Sequence, residues 1–159
     1  SLVINNAVGN PLLNDGPNFL SGHLEVNNEF GGLALSKEKY DGKIRAKRIS
    51  NDFEQLNTVI GIIATDAPLS RIQLKRLSIM CHGSISRSIH PSHTPMDGDT
   101  IFAISTSDKS CYVSEEINKL DLTVINTIAS DTFSRACNRA IFEAENIGGK
   151  PSWKDLFEN

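Results

Sequence analysis

Cysteine is scarce in this chain of 159 residues: Cys81, Cys111 and Cys137 are odd in number, far apart, and include no CxxC pair. That spacing argues against a disulfide framework and a zinc knuckle, and reduced thiols in a cytoplasmic protein are the expectation. No apolar run approaches the roughly 18 residues that a membrane-spanning helix needs. No charged start followed by an apolar stretch marks a signal peptide, so no membrane partner is expected. An excess of basic residues is missing too. With a net charge of −3, the chain does not carry the positive footprint of a nucleic-acid binder. An initiating Met is also absent. The chain opens as if in mid-strand, with Ser1-Leu2-Val3-Ile4, so further residues upstream are expected, in the same precursor or in a separate chain.

What is present reads as an alternation of strands and helices. Residues 2–8 form a short apolar strand interrupted by Asn5 and Asn6, and turn signals such as Asp15-Gly16-Pro17 and Gly31-Gly32 follow. The stretch 36–55 is the most polar and reads as a solvated connector. Residues 58–65, TVIGIIAT, are a continuous β-branched run, which predicts a strand buried on both faces. Asp66 then reads as a helix N-cap with Pro68 in the first turn. Leu69, Ile72, Leu77 and Met80 set a helical rhythm running to about Ile89. Residues 100–106, TIFAIST, predict a second buried strand. A second helix is expected from Glu115 or Leu120 to Asn146, stopped by Gly148-Gly149. Trp153 and Phe157 in the tail are placed to dock on the body. The order strand, helix, strand, helix permits a parallel sheet or a layered α/β sandwich.

Three elements could carry chemistry. Asn57-Thr58 lies where the polar connector meets a strand. A threonine freed as an N-terminus gains an α-amino group that can act as base for its own hydroxyl. In Asp97-Gly98-Asp99 the two carboxylates are at i and i+2, which share a side in extended chain. Close carboxylates repel, so one proton shared between them is expected. Asp-Gly is equally a turn signal. Asn6, followed by Ala7-Val8-Gly9, could offer its amide to an oxyanion or merely satisfy local backbone groups. His93 stands close enough to the acidic pair for a supporting role. A metal held by Asp97, Asp99 and His93 is the alternative, although no recognised ligand spacing appears. Cys81 and His82 diverge on a helix, so Cys81 is assigned to the core and His82 to packing or surface.

With NT, ATDAPL, HPSHT and DGDTIFA in this order, residues 57–106 resemble the P1 family of peptidases. That family includes L-aminopeptidase/D-esterases, β-peptidyl aminopeptidases and endo-type nylon-oligomer hydrolases, and the likeness is strongest to the last branch. INNAVGN and EFGGL also resemble the end of the family's α part. The resemblance implies a four-layer αββα sandwich, shared with ornithine acetyltransferases, of which this chain carries the C-terminal part. Residues 1–57 would close the α part, with the connector from about 34, and 58–159 would be the β part. It implies cleavage between Asn57 and Thr58, then amide hydrolysis by Thr58 as nucleophile. Asp97 and Asp99 would be the acidic pair beside it, and Asn6 the oxyanion-binding asparagine. No cofactor or metal is implied. The implied partners are the upstream α part, a peptide or oligoamide substrate, and further copies in a homo-oligomer. A non-catalytic or partner-dependent subunit of the same fold, and an acyltransferase of the ornithine acetyltransferase kind, are the alternatives.

Overall fold

The computed structural model describes residues 1–46, 57–108 and 117–158. The later half of the polar connector, Cys111 and the Glu115 start of the second helix lie outside the described residues. The β-branched run becomes the central strand, β2 (Thr58–Thr65), of a three-stranded sheet. On one side, β1 (Leu2–Asn6) pairs antiparallel with it, from Leu2 opposite Ile62 to Asn6 opposite Thr58. The strand therefore continues through Asn5 and Asn6, because the ladder is made by backbone groups that an Asn supplies as well as a Val. On the other side, β3 (Thr100–Ser105) runs parallel, with Ile60 beside Thr100 and Thr65 beside Ser105. Parallel neighbours need a crossover, and helix α1 (Arg71–Ser88) provides it.

Ser70, not Asp66, caps α1. Its hydroxyl accepts from the Gln73 N–H and the Gln73 side chain returns to the Ser70 N–H, a complete capping box. Leu69, fully buried just before the cap, and Leu74 one turn in belong to the same core, as in a hydrophobic staple. Pro68 thus precedes the helix, and Ile72 is left exposed on its first turn. The buried stripe is Leu77, Cys81, Ser84, Ile85 and Ser88.

Helix α2 (Lys119–Phe142), capped by the Asn118 side chain, lies against β1, while α1 lies against β3 and the two helices meet. Small residues let them approach closely. Ser84 Oγ donates to the Ser130 carbonyl at 2.8 Å, and Ser88 Oγ to that of Ser134 at 3.3 Å. Phe133 and Cys137 of α2 are fully buried among Val59, Ile63, Leu77 and Ile85. Gly61 is required here, because a Cβ at that position would lie 2.4 Å from the Phe133 ring. Gly61→Ala is expected to destabilise by about 2–3 kcal/mol through overpacking, as read by urea unfolding. Phe133→Leu in the same chain should return part of that loss, because the two changes share one space.

α2 ends at Phe142, earlier than Asn146. Gly148 and Gly149, at φ 62° and 75°, instead turn the chain through an Ile147–Lys150 bridge into the short α3 (Trp153–Phe157). The tail docks as its aromatics predict. The Trp153 ring lies 5.0 Å from that of Phe142 and 5.7 Å from that of Phe19, and its indole N–H donates to the Pro17 carbonyl.

The Glu29–Arg135 ion pair ties the segment before β2 to α2, with Arg135 Nη2 3.0 Å from Glu29 Oε2. The Arg135 guanidinium holds the Glu29 carboxyl below its ordinary value of 4.5. The unfolded chain protonates Glu29 near that value and the native one only further down. This contribution is therefore complete above about pH 4.5 and fades as pH falls through the lower native value. Glu29→Gln is expected to cost about 1 kcal/mol at neutral pH and to flatten the stability profile below pH 4.5, as denaturant titrations at several pH values would read.

Both helices cover one face of the sheet. On the other face Leu2, Ile4, Ile60, Ile62, Phe102 and Ile104 are between 39% and 69% exposed. The strands expected to be buried on both faces are thus covered on one: β2 alternates buried Val59, Gly61 and Ile63 with exposed Ile60, Ile62 and Ala64. Among the described residues, no helix is long and apolar enough to cross a membrane.

Candidate active site

Thr58 is the first residue of the central strand, on the open-face side of the alternation. Asn6, the last residue of β1, is paired directly opposite it. Cross-strand partners point to the same side of an antiparallel pair, so both side chains belong to the uncovered face. Asn5, one residue back, is spent locally, its Oδ1 accepting from the Ala7 N–H at 3.2 Å. On the other flank of β2, Asn57 and Asp97 form a parallel bridge. Gly98 lies so close to Thr58 that an added Cβ would stand 3.1 Å from the Thr58 hydroxyl. The hydroxyl therefore rests against the glycine that separates the two acids. It donates to the carbonyl oxygen of Asn57 at 2.6 Å, and that oxygen also accepts the Gly98 N–H at 2.9 Å.

The acids have separate donors. Asp97 accepts from the Thr94 N–H and hydroxyl, both at 2.8 Å, and from the Val8 N–H at 3.3 Å. Asp99 accepts the Val59 N–H at 2.8 Å on one oxygen, and its other oxygen lies 2.7 Å from His93 Nδ1. The carboxylate of Asp99 is only 4% exposed. Each carboxylate is thus held by its own donors. His93 meets Asp99 while Asp97 turns to Thr94. Among the described residues, no three metal-ligating side chains converge.

His93 has a second partner, with Nε2 3.0 Å from the His82 carbonyl oxygen. A carbonyl only accepts, so Nε2 carries a hydrogen. Nδ1 is then the ring nitrogen that faces the Asp99 carboxylate. Burial, with His93 beside it, moves the His82 ring below its ordinary pKa. Burial pushes Cys81 up to about 11, and burial with Asp99 and Cys81 nearby pushes Cys137 up to about 12. Both thiols stay protonated core groups, so neither offers a thiolate nucleophile.

The loop that presents His93 and Asp97 is fixed from below. Asn10 and His90 exchange backbone hydrogen bonds at 3.0 and 2.9 Å, and a Cβ on Gly9 would collide with the Pro91 carbonyl oxygen. Thr94 and the backbone donors of Val8 and Gly98 were not singled out from the sequence. Thr94-x-x-Asp97 has the spacing at which a side chain closes a turn, so Thr94 was findable. The backbone donors were not.

The architecture is mixed α/β, with a threonine, two acids and an asparagine gathered at one end of its sheet. Residues 1–153 match the model of peptidase family S58, and the chain belongs to that family. It is 30% identical over 165 residues to an uncharacterized aminopeptidase of Mycobacterium leprae, covering 99% of this chain and 44% of the relative. It is 35% identical over 109 residues to an uncharacterized aminopeptidase of Mycobacterium tuberculosis, covering 64% of this chain and 31% of that one. A 6-aminohexanoate-oligomer endohydrolase of Agromyces sp. is 31% identical over 99 residues, with 62% and 28% covered. The chain thus spans less than half the length of the curated relatives it matches.

Proposed function

We propose that this chain carries the nucleophile of a self-cleaving amide hydrolase, with Thr58 as nucleophile and Asn57–Thr58 as the bond it opens in itself. The observation that carries this reading is the Thr58 hydroxyl resting on its own preceding carbonyl, against the glycine between Asp97 and Asp99. Cleavage leaves Thr58 with a free α-amine beside its hydroxyl, so that base and nucleophile share one residue. The hydroxyl then attacks a substrate amide, and the proton it loses passes through the amine to the departing nitrogen. Water clears the acyl-enzyme. Asn6, directly across the ladder, donates to the oxyanion, and Asp97 and Asp99 hold the strand end and the proton balance beside it. The relatives' names, aminopeptidase and 6-aminohexanoate-oligomer endohydrolase, support peptides or synthetic oligoamides as the substrate class.

The uncovered apolar face supports the finer architecture of four layers, αββα. A second sheet packed on Leu2, Ile4, Ile60, Ile62, Phe102 and Ile104 would remove this surface from water, the dominant driving force for such a layer. It would also enclose Thr58 and Asn6, which share that side. Segments that the relatives carry outside the matched region could form it, so activity depends on that partner layer, and further copies of the protein assemble around it. The test is the mass and N-terminal sequence of the purified full-length protein, with assays on aminoacyl p-nitroanilides and 6-aminohexanoate oligomers. A fragment beginning at Thr58 together with amide hydrolysis is the expected outcome. A chain that stays whole at this bond yet hydrolyses the same amides would overturn the assignment.

A further inference from the structure

We propose that the backbone N–H of Gly98 is the oxyanion donor for opening the Asn57–Thr58 bond, a task separate from that of Asn6. This rests on the reading that the bond is cut. The Asn57 carbonyl oxygen accepts the Gly98 N–H at 2.9 Å and the Thr58 hydroxyl at 2.6 Å, at a residue only 6% exposed. The scissile carbonyl is therefore polarised by a fixed amide dipole in the same arrangement that sets the nucleophile beside it. Such a donor is worth most where water is excluded and no reorganisation is needed.

The position of the donor is built in. The Asn57–Asp97 bridge sets the register, and the residues on either side of Gly98 are anchored, Asp97 by Thr94 and Val8 and Asp99 by Val59 and His93. Glycine is needed as well as its N–H, since a Cβ would stand 3.1 Å from the attacking hydroxyl. Asn6 approaches Thr58 from the β1 side and Gly98 from the β3 side. The central strand thus carries one donor on each flank, with the β3 flank already aimed at the chain's own carbonyl.

The step balances without a co-reactant other than water. The Thr58 oxygen bonds to the Asn57 carbonyl carbon, and the carbonyl oxygen takes up negative charge against the Gly98 N–H. The carbon–nitrogen bond then breaks with its electron pair going to the Thr58 nitrogen, which gains the proton lost by the hydroxyl. The resulting ester adds water and parts into the Asn57 carboxylic acid and the Thr58 hydroxyl.

The experiment replaces the amide N–H by an ester oxygen, incorporating glycolic acid at position 98 of the full-length protein. An ester at position 106 is the control: the Thr106 N–H bonds the Thr65 carbonyl at the far end of β2, so one sheet hydrogen bond is lost in each protein. Self-cleavage is expected to slow by about 10²-fold with the ester at 98 and to keep its rate with the ester at 106. A second readout needs no cleavage. In a Thr58→Ala chain with a ¹³C-labelled Asn57 carbonyl, the stretching frequency should rise when position 98 is an ester. Unchanged cleavage with the ester at 98, or an unchanged frequency, overturns the role of Gly98. Cutting of the Thr58→Ala chain at the same bond overturns the cleavage reading instead.

Discussion

Thr58→Ala is expected to leave the chain uncut at Asn57–Thr58 and to remove amide hydrolysis with it. In the proposed mechanism the hydroxyl is the atom that bonds to the carbonyl carbon, and alanine has nothing to put in its place. Among the described residues, Cys81 and Cys137 are buried, and burial pushes their thiols up to about 11 and about 12. Losing a nucleophile costs on the order of 10⁴-fold or more in the steps that use it, so over hours of incubation mass spectrometry should find only the whole chain. Folding should survive. Thr58 is half-buried at the start of a strand whose helix-side neighbours, Val59 and Gly61, supply the packing, and removing a half-exposed hydroxyl and methyl should cost no more than about 1 kcal/mol. An intact, cooperatively unfolding, uncut variant therefore reports on chemistry. Thr58→Ser adds a graded test. It keeps the hydroxyl but loses the β-methyl that restricts χ1, so it should still cut, more slowly, because the oxygen is no longer held against Gly98. Equal rates for threonine and serine would mean that the methyl does not set the hydroxyl's direction.

The parts of this site that were legible in the sequence are side chains at short spacing. Asp97 and Asp99 flank a glycine, and His93 precedes them by a few residues, so local geometry alone keeps them together. Thr58 and Asn6 could be named by resemblance, but that they face each other across a ladder is a long-range fact, set by a register that the sequence does not print. The fold was legible where periodicity and local turn chemistry agree, as in β2, β3 and the middle of α1 and α2. It was misread where two valid start or stop signals competed. Asp66 and Ser70 both precede α1, but only Ser70 has a Gln three residues on to complete the reciprocal bonds. Gly148-Gly149 reads as a helix stop, yet Phe142 marks the end because the chain must turn back for Trp153 to reach Phe19 and Phe142. The open face was not legible at all. A continuous apolar run such as TVIGIIAT looks the same whether this chain or another segment covers its second side.

Asp99→Asn should lower both self-cleavage and amide hydrolysis by about 10²–10³-fold, the scale on which positioned proton-transfer groups contribute. The carboxylate lies 4% exposed between the Val59 N–H and the His93 ring, and the His82 carbonyl obliges His93 to keep a hydrogen on Nε2. In the proposed mechanism this pair would pass the proton that moves between the Thr58 hydroxyl and its freed amine. Asparagine keeps the size and can still accept from Val59, so the strand end stays in place while the acidic group is lost. His93→Asn separates the two roles from the other side. Its amide can still donate to Asp99, which would preserve packing, but it cannot take the proton up. If the ring only props the carboxylate in position, His93→Asn will run at nearly the native rate with an unaltered pH profile. If the pair stores the proton, that variant will fall toward the rate of Asp99→Asn and lose one ionisation from its pH–rate curve. The double variant will then be little worse than either single one, because both changes remove the same proton.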